Sequence, residues 1–216
     1  MKTQLLITSG DFLRRQGHPN KSIEILNEAL TLSDEILDLK SKAWSIQLIG
    51  ESYDYMGKLP DALLFFNRSL EIFEQERDSS GIAKALNSIG TVYDFQGDLD
   101  KGLSYYQQSL NVYEKLNDKN GVASSLNNIG IIYYLQGDDE KALDCYLKSV
   151  EIHEQTNPNS SENAITINNI GLIYDNRGET HRAIDFYLKS LSIFETINYS
   201  AGQVMPLNNL GDTYRK

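Results

Sequence analysis

The stretch LNNIGIIYYLQGD, residues 126–138, has the apolar content of a buried helix but includes two adjacent asparagines and a glycine. Asparagine and glycine are both poor helix formers. Either the stretch is not a helix, or Asn127, Asn128 and Gly130 are present for a reason other than helix propensity. The rest of the chain helps to decide between these alternatives, because the stretch has counterparts elsewhere.

Internal repetition dominates the sequence of 216 residues. Glycines recur at intervals of 40 or 41 residues, at Gly10, Gly50, Gly90, Gly130, Gly171 and Gly211. In the first five copies a second glycine follows seven residues later, and apolar residues then recur at helical spacing, as at Leu143, Tyr146 and Val150. Each copy therefore predicts a helix, a glycine-containing turn and a second helix. The predicted repeats cover about residues 1–40, 41–80, 81–120, 121–161 and 162–201, and residues 202–216 form the first helix of a sixth.

The order of residues within a copy resembles a known family. Residues 126–133 fit the pattern L-x-x-I-G-x-x-Y, and Ala142 is followed four residues later by the aromatic Tyr146. This order resembles the tetratricopeptide repeat, in a variety with longer helices, since the common unit has about 34 residues. The resemblance implies an all-α fold, a right-handed superhelical solenoid of antiparallel helix pairs that forms a single array over residues 1–216. It also implies a non-enzymatic scaffold for protein–protein interactions.

A helical wheel separates two sides of each first helix. At about 100° per residue, Leu126, Ile129 and Gly130 fall on one side of the helix and Asn127 falls on the other. In the family, first helices line a concave groove, so the resemblance implies that the side with Asn127 faces a ligand. The same offsets in the other copies give the predicted groove residues, which are Asn87, Asn127, Asn128, Asn168, Asn169, Asn208, Asp54, Asp94, Asp175, Tyr55, Tyr134 and Leu135, with Gln47 in place of asparagine in the second copy.

These residues predict a groove that binds a peptide. An asparagine amide can bond both the N–H and the C=O of an extended chain, so one amide per repeat could hold a peptide backbone. Asparagine ladders of this kind are known in the family. The carboxylates would favour a protein or peptide partner with basic residues near an apolar anchor. The alternative is that the amides bond neighbouring helices and hold the repeat spacing, while the carboxylates are simply solvated.

The first copy differs from the others on this side. It carries Asp11, Arg14 and Arg15, and the only tryptophan, Trp44, projects toward the same groove from the second copy. The family's clamp for chaperone tails needs a groove rich in lysine and arginine. Apart from the first-copy arginines, only Lys84 lies there, so we reject that binding mode.

The composition excludes several classes of function. Lysine and arginine number 20 against 30 aspartate and glutamate residues, a net charge of −10, which argues against binding to nucleic acid or to an anionic membrane. The single cysteine, Cys145, permits no intrachain disulfide and no thiolate metal cluster. No catalytic or phosphate-binding motif is present, so we predict neither an enzyme nor a bound cofactor or metal. His153 stands where other copies carry Phe73, Tyr113 or Phe194, and we expect it to pack in the core.

The two ends of the chain carry further expectations. The first apolar run is too short for a signal peptide and no segment reaches transmembrane length, which predicts a soluble, cytoplasmic protein. The sixth copy ends after one helix, so Leu207, Leu210 and Tyr214 lack a second helix to cover them. We expect either a longer protein or a homodimer through this exposed helix. In a longer protein the array would be a sensory or regulatory module of a bacterial kinase, cyclase or peptide-responsive regulator.

Overall fold

The structure, a computed structural model, describes residues 1–215. Over that range it contains eleven α-helices and no β-strand. The helices are α1 (Lys2–Arg15), α2 (Pro19–Glu35), α3 (Leu39–Tyr55), α4 (Leu59–Gln75), α5 (Ser79–Phe95), α6 (Leu99–Leu116), α7 (Lys119–Leu135), α8 (Asp139–Thr156), α9 (Ser161–Asn176), α10 (Thr180–Thr196) and α11 (Ser200–Tyr214). They form two compact units: unit 1 runs from Met1 to Leu116, and unit 2 begins at Asn117.

Short turns join the helices of each unit into antiparallel pairs. The turn after a first helix contains a glycine in the left-handed backbone conformation, as at Gly57 with a φ of +70°. Residues with a side chain adopt this conformation only at an energetic cost, so the glycine is what lets the chain reverse after three residues. The predicted order of helix, glycine turn and helix is therefore confirmed.

The turn after a second helix works without glycine. Arg77 takes a left-handed φ of +55°, and the Asp78 carboxylate then accepts the backbone N–H of Gly81 at 3.2 Å. This side-chain cap starts α5 at Ser79.

In the second to fifth repeats, the first glycine receives an aromatic ring from the second helix. A Cβ atom at Gly130 would lie 2.6 Å from Cε1 of Tyr146, closer than two carbon atoms can pack. The glycine therefore lets the buried Tyr146 ring lie directly on α7. The ring also belongs to a core cluster with Ile167 and Ile170 of the next repeat, so one side chain joins a helix pair to its neighbour. Gly50, Gly90 and Gly171 receive a ring in the same way.

In three helix pairs, a buried serine three residues after the aromatic ring bonds the second helix to the first. The Ser149 hydroxyl donates to the carbonyl oxygen of Ala123 at 2.8 Å, and Ser190 donates to the carbonyl oxygen of Ala164 at 2.7 Å. Ser109 bonds the carbonyl oxygen of Ala83 in the same way in unit 1. The contact is buried and repeats with the sequence period, so it fixes the register of second helix against first.

First and second helices have different neighbours. Within unit 1, α1 contacts α3 and α3 contacts α5, and within unit 2, α7 contacts α9 and α9 contacts α11. The backbones of neighbouring second helices lie farther apart, although Lys189 of α10 forms an ion pair with Glu154 of α8 at 3.0 Å. First helices therefore lie closer together than second helices. We call the surface that they form in each unit its inner surface.

Candidate functional site

The inner surface of unit 1 contains a cleft of about 640 Å³ that runs between α1 and α3 and reaches α5. Its apolar part is formed by Ile7, Trp44 and Leu48. The Trp44 ring is held at its edge by Phe73, with ring centroids 5.0 Å apart, and its indole N–H donates to the Asp78 carboxylate at 3.4 Å. The tryptophan is thus fixed in place and presents part of its ring to the cleft, as the sequence predicts for this side of α3.

A network of ion pairs forms one end of this cleft. The Arg14 guanidinium lies 2.6 Å from Asp11 and 3.0 Å from Glu51, and the Lys84 ammonium lies 3.1 Å from the other oxygen of Glu51. Arg15 lies 2.8 Å from Asp11. These cations neutralise both carboxylates, so this part of the groove is not acidic, in contrast to the expectation from the sequence. The basic residues of the first copy account for the difference.

Asp54 and Asp94 behave differently from the paired carboxylates. They occupy equivalent positions near the C-terminal ends of α3 and α5, and neither makes a salt bridge within residues 1–215. Burial raises the pKa of Asp94 above its usual range. Burial and the neighbouring Glu51 carboxylate raise the pKa of Asp54, and Arg14 offsets this only in part. Both sites therefore favour a positive group that the described chain does not supply.

Two exposed aromatic rings stand next to these carboxylates. Tyr55 is 62% exposed and Phe95 is 69% exposed. Asp54 and Tyr55 line a smaller pocket of about 230 Å³ together with Asn87, which is half-buried. The structure thus brings Asp54, Tyr55 and Asn87 together at one pocket of unit 1.

In unit 2 the asparagines bond one another across neighbouring first helices. The Asn127 side-chain oxygen accepts the Asn169 amide at 3.2 Å and the Thr166 hydroxyl at 3.2 Å, and its amide donates to Asn128 at 3.3 Å. The Asn209 amide donates to the Asn168 oxygen at 2.9 Å. These bonds match the alternative in which the amides hold the repeat spacing.

Two predicted groove positions are fully buried, namely Asn168 and Gln47. The wheel placed them on an accessible side, but neighbouring first helices pack against each other and cover part of that side. The Gln47 amide donates to Ser88 at 2.9 Å, and its oxygen accepts the Ser69 hydroxyl at 2.9 Å. A partner could not contact either side chain on this surface without moving a helix.

The other predicted residues of unit 2 lie nearer the surface. Asn208 and Leu135 are exposed, and Asp175 is half-buried. Tyr134 is half-buried, and its hydroxyl accepts the Asn176 amide at 2.9 Å. The sequence did not point to Thr166 as a partner of Asn127, because Thr166 lies two residues before Asn168, the equivalent of Asn127 in the next repeat.

Comparisons with known proteins agree with this architecture. One profile of the tetratricopeptide repeat matches residues 3–75 and 81–155, and a second matches residues 164–198. The chain belongs to the tetratricopeptide-repeat family. The resemblance in the sequence and the all-α fold class of stacked helix pairs are therefore both confirmed. No curated protein matches the chain in sequence.

Several solved tetratricopeptide-repeat-like structures share this fold. BtubC (BKLC) from P. vanneervenii has a TM-score of 0.73 and 19% identity, over 100% of this chain and 84% of its own. RapI in its apo form has a TM-score of 0.76 and 18% identity, over 97% and 82%. A Rap protein complexed with Competence and Sporulation Factor has a TM-score of 0.85 and 15% identity, over 99% and 63%. No helix within residues 1–215 has both the length and the apolar character needed to cross a membrane.

Proposed function

We propose that this tetratricopeptide-repeat protein is a non-enzymatic scaffold whose inner surface holds an extended or helical segment of a partner protein or a peptide. The observation that carries the proposal is the cleft of about 640 Å³ on unit 1 with the fixed Trp44 ring beside Ile7 and Leu48. Clefts of this volume with an apolar floor and charged walls suit one or two side chains of a ligand. The Rap protein complexed with Competence and Sporulation Factor offers a precedent on the same fold.

The charges of unit 1 bear on the chemistry of the partner. An apolar side chain of the partner would occupy the cleft, and its basic side chains would contact Asp54 and Asp94. A partner with basic residues near an apolar anchor is also what the sequence predicts. In unit 2 the accessible asparagines, Asn128, Asn169 and Asn208, would be secondary contacts. An incoming backbone would there replace bonds that neighbouring helices already make.

A regulatory role within a longer bacterial signalling protein is the second candidate. Similarity of fold to RapI and to the Rap complex favours it, and it would use the same inner surface for a signal peptide or an output domain. A cytoplasmic location and a homodimer through α11 stay predictions of the sequence. An equilibrium sedimentation measurement at several protein concentrations would test the dimer.

Trp44 allows a direct test, because it is the only tryptophan and lines the cleft. Peptides selected from a random library would be titrated against the protein while the tryptophan emission is recorded. Thr8→Arg places a large side chain at the cleft, and we expect it to weaken binding by at least about tenfold, as expected from the loss of about 1.4 kcal/mol.

Thr31→Arg is the matched control. Thr8 and Thr31 are both exposed, and each donates its hydroxyl to the carbonyl oxygen four residues earlier, at 2.9 Å and 3.0 Å. The two variants therefore change charge and helix propensity equally, but Thr31 lies on α2, away from the cleft. The proposal is wrong if the selected peptides bind both variants as tightly as the original protein, or if both substitutions weaken binding equally.

A further inference from the structure

Two equivalent sites on unit 1 combine a carboxylate with an exposed aromatic ring. Asp54 and Tyr55 end α3, and Asp94 and Phe95 end α5, forty residues later in the sequence. Because α3 and α5 contact each other along the inner surface, the two sites are neighbours. Packed helices lie about 8–10 Å apart, which sets the approximate distance between the sites.

The carboxylates at these sites lack the partners that the nearby acidic residues have. Asp11 and Glu51 are each bonded to arginine or lysine. Asp54 and Asp94 make no salt bridge in the described part of the chain, and the buried Oδ1 atom of Asp54 has no hydrogen-bond partner there. A buried carboxylate without a donor is costly, so a cation from outside would bind favourably.

The nearest polar groups do not fill this role. The Tyr106 hydroxyl, which lies in the field of both carboxylates, donates instead to Thr91 at 3.1 Å. Arg14 and Lys84, which line the smaller pocket with Asp54, are each held by Glu51. The positive charges on this surface are thus already bonded to other carboxylates.

The aromatic rings add a second preference for the same kind of group. The interaction of a guanidinium or ammonium group with the face of an exposed ring contributes about 0.5–1 kcal/mol to binding. Other rings of unit 1 already carry a cation, such as Tyr93 under Lys101 at 5.0 Å and Tyr53 under Lys58 at 5.7 Å. Tyr55 and Phe95 carry none in residues 1–215, and both side chains are largely exposed.

The distance between the sites selects the spacing of basic residues in a ligand. A β-strand advances about 3.3 Å per residue, and alternate side chains point to the same side. Residues two apart therefore lie closer together than the two subsites, and residues four apart lie farther apart than the subsites. A polyproline-II segment advances about 3.1 Å per residue with three residues per turn. Side chains three residues apart in such a segment therefore project to the same side and lie about 9 Å apart. This distance matches the spacing of two packed helices.

We propose that Asp54 with Tyr55 and Asp94 with Phe95 form two subsites for basic side chains three residues apart in an extended segment of a partner protein. This proposal rests on the proposed function, because it assigns a ligand class to the same inner surface. Lysine or arginine at the first and fourth positions would fill the subsites, and proline between them would favour the required conformation.

Synthetic peptides test the proposal by calorimetric titration against the full chain. The first peptide is Ala-Arg-Pro-Ala-Arg-Ala-Leu, and two others place the arginines two or four residues apart. We expect the three-residue spacing to bind at least about threefold more tightly than either alternative. Replacing both arginines with glutamate should abolish binding, since like charges would then meet at the carboxylates.

The protein variants give the second arm of the test. Asp54→Asn combined with Asp94→Asn should weaken binding of the first peptide by at least about tenfold, because a charge-assisted bond is lost at each subsite. Asp61→Asn combined with Asp100→Asn removes the same charge from the first turns of α4 and α6 and should change binding less than about twofold. Circular dichroism would check that both double variants are folded.

The outcomes separate this proposal from the proposed function. Three results would each overturn the two-subsite proposal. These are no saturable binding of the first peptide up to about 1 mM, binding of the three-residue spacing no tighter than that of the others, and equal weakening of binding by the two double variants. Another result would be that library peptides bind the original protein, lose affinity for Thr8→Arg, and keep their affinity for the Asp54→Asn, Asp94→Asn double variant. That result would support the proposed function but overturn the two-subsite proposal. If the library contains no peptide whose binding depends on Thr8, the proposed function fails as well.

Discussion

Replacing His153 with phenylalanine should stabilise unit 2. His153 is 3% exposed within α8, and neither ring nitrogen has a hydrogen-bond partner in the part of the chain that the structure describes. The equivalent positions carry Phe73 and Phe194, which are fully buried. A phenyl ring therefore fits this position in other repeats, and the imidazole brings polar atoms into a place that offers them no partner.

The magnitude follows from the cost of burying polar atoms. An unsatisfied buried donor or acceptor costs about 1–3 kcal/mol. Phenylalanine removes these atoms and adds apolar area, so we expect His153→Phe to raise the free energy of unfolding by about 1–3 kcal/mol. For a chain of this size, each kcal/mol raises Tm by about 2–4 °C, which gives an expected increase of about 2–12 °C.

The pH dependence gives a more specific signature. Burial lowers the pKa of His153 below its usual range, and the nearby Glu162 carboxylate opposes this only in part. The unfolded chain therefore takes up the proton at higher pH than the folded chain does. The stability associated with the neutral ring is complete above the ordinary histidine pKa of about 6.5 and is lost as the pH falls toward the folded-state pKa. The slope is at most about 1.4 kcal/mol per pH unit.

Urea unfolding followed by far-ultraviolet circular dichroism at about pH 7.5 and about pH 5.5 tests both expectations. The difference between His153→Phe and the original protein isolates this residue, because all other groups are shared. The advantage of the variant should grow as the pH falls. Phe73→His is the converse substitution in unit 1 and should destabilise the protein and create a similar slope. A His153→Phe variant that is less stable at neutral pH, or whose advantage does not change with pH, would refute the reasoning.

Further predictions concern the packing of the repeats and the buried cysteine. Gly130→Ala should lower the free energy of unfolding by about 1–3 kcal/mol, because its Cβ would overlap the Tyr146 ring. Gly211→Ala, where nothing lies within 4 Å of the added Cβ, should be neutral or stabilising in thermal unfolding. Ser149→Ala removes a buried hydrogen bond to α7 and should cost about 1 kcal/mol in the same measurement. Burial raises the pKa of the Cys145 thiol to about 11, so a thiol reagent at pH 8 should label it only after urea unfolds the protein, and rapid labelling of the native protein would contradict this.

The repeat pattern in the sequence predicts the fold because each recurring residue has a single structural task. Gly130 accepts the Tyr146 ring, Ser149 fastens the helix pair, and the second glycine reverses the chain. Such tasks impose a residue type at a fixed spacing, and the spacing is visible in the sequence. The caps Asp38, Asp78 and Asp118 recur at intervals of 40 residues, as the glycines do, whereas α9 is capped by Ser160.

The candidate site was less predictable because it depends on contacts between repeats. A helical wheel treats α9 as isolated, and it therefore places Asn168 on an open side that α11 partly covers through Asn209. The helical wheel also does not predict which carboxylates form salt bridges. Glu51 and Asp54 lie three residues apart on α3, yet only Glu51 is bonded to Arg14 and Lys84. Pairing of this kind is decided by the three-dimensional arrangement of side chains from different helices.

The same face of a first helix serves different purposes in the two units. In unit 2 the amides of Asn127 and Asn169 bond each other, so a ligand that used them would first have to replace an existing bond and would gain little. In unit 1 neither Asp54 nor Asp94 forms a salt bridge in the described residues, and Arg14 only partly offsets the charge of Asp54, so a basic ligand breaks no ion pair of these carboxylates when it binds. The asparagines of LNNIGIIYYLQGD therefore contribute chiefly to the contact between repeats, while the affinity for a partner should come from the acidic and aromatic residues of unit 1.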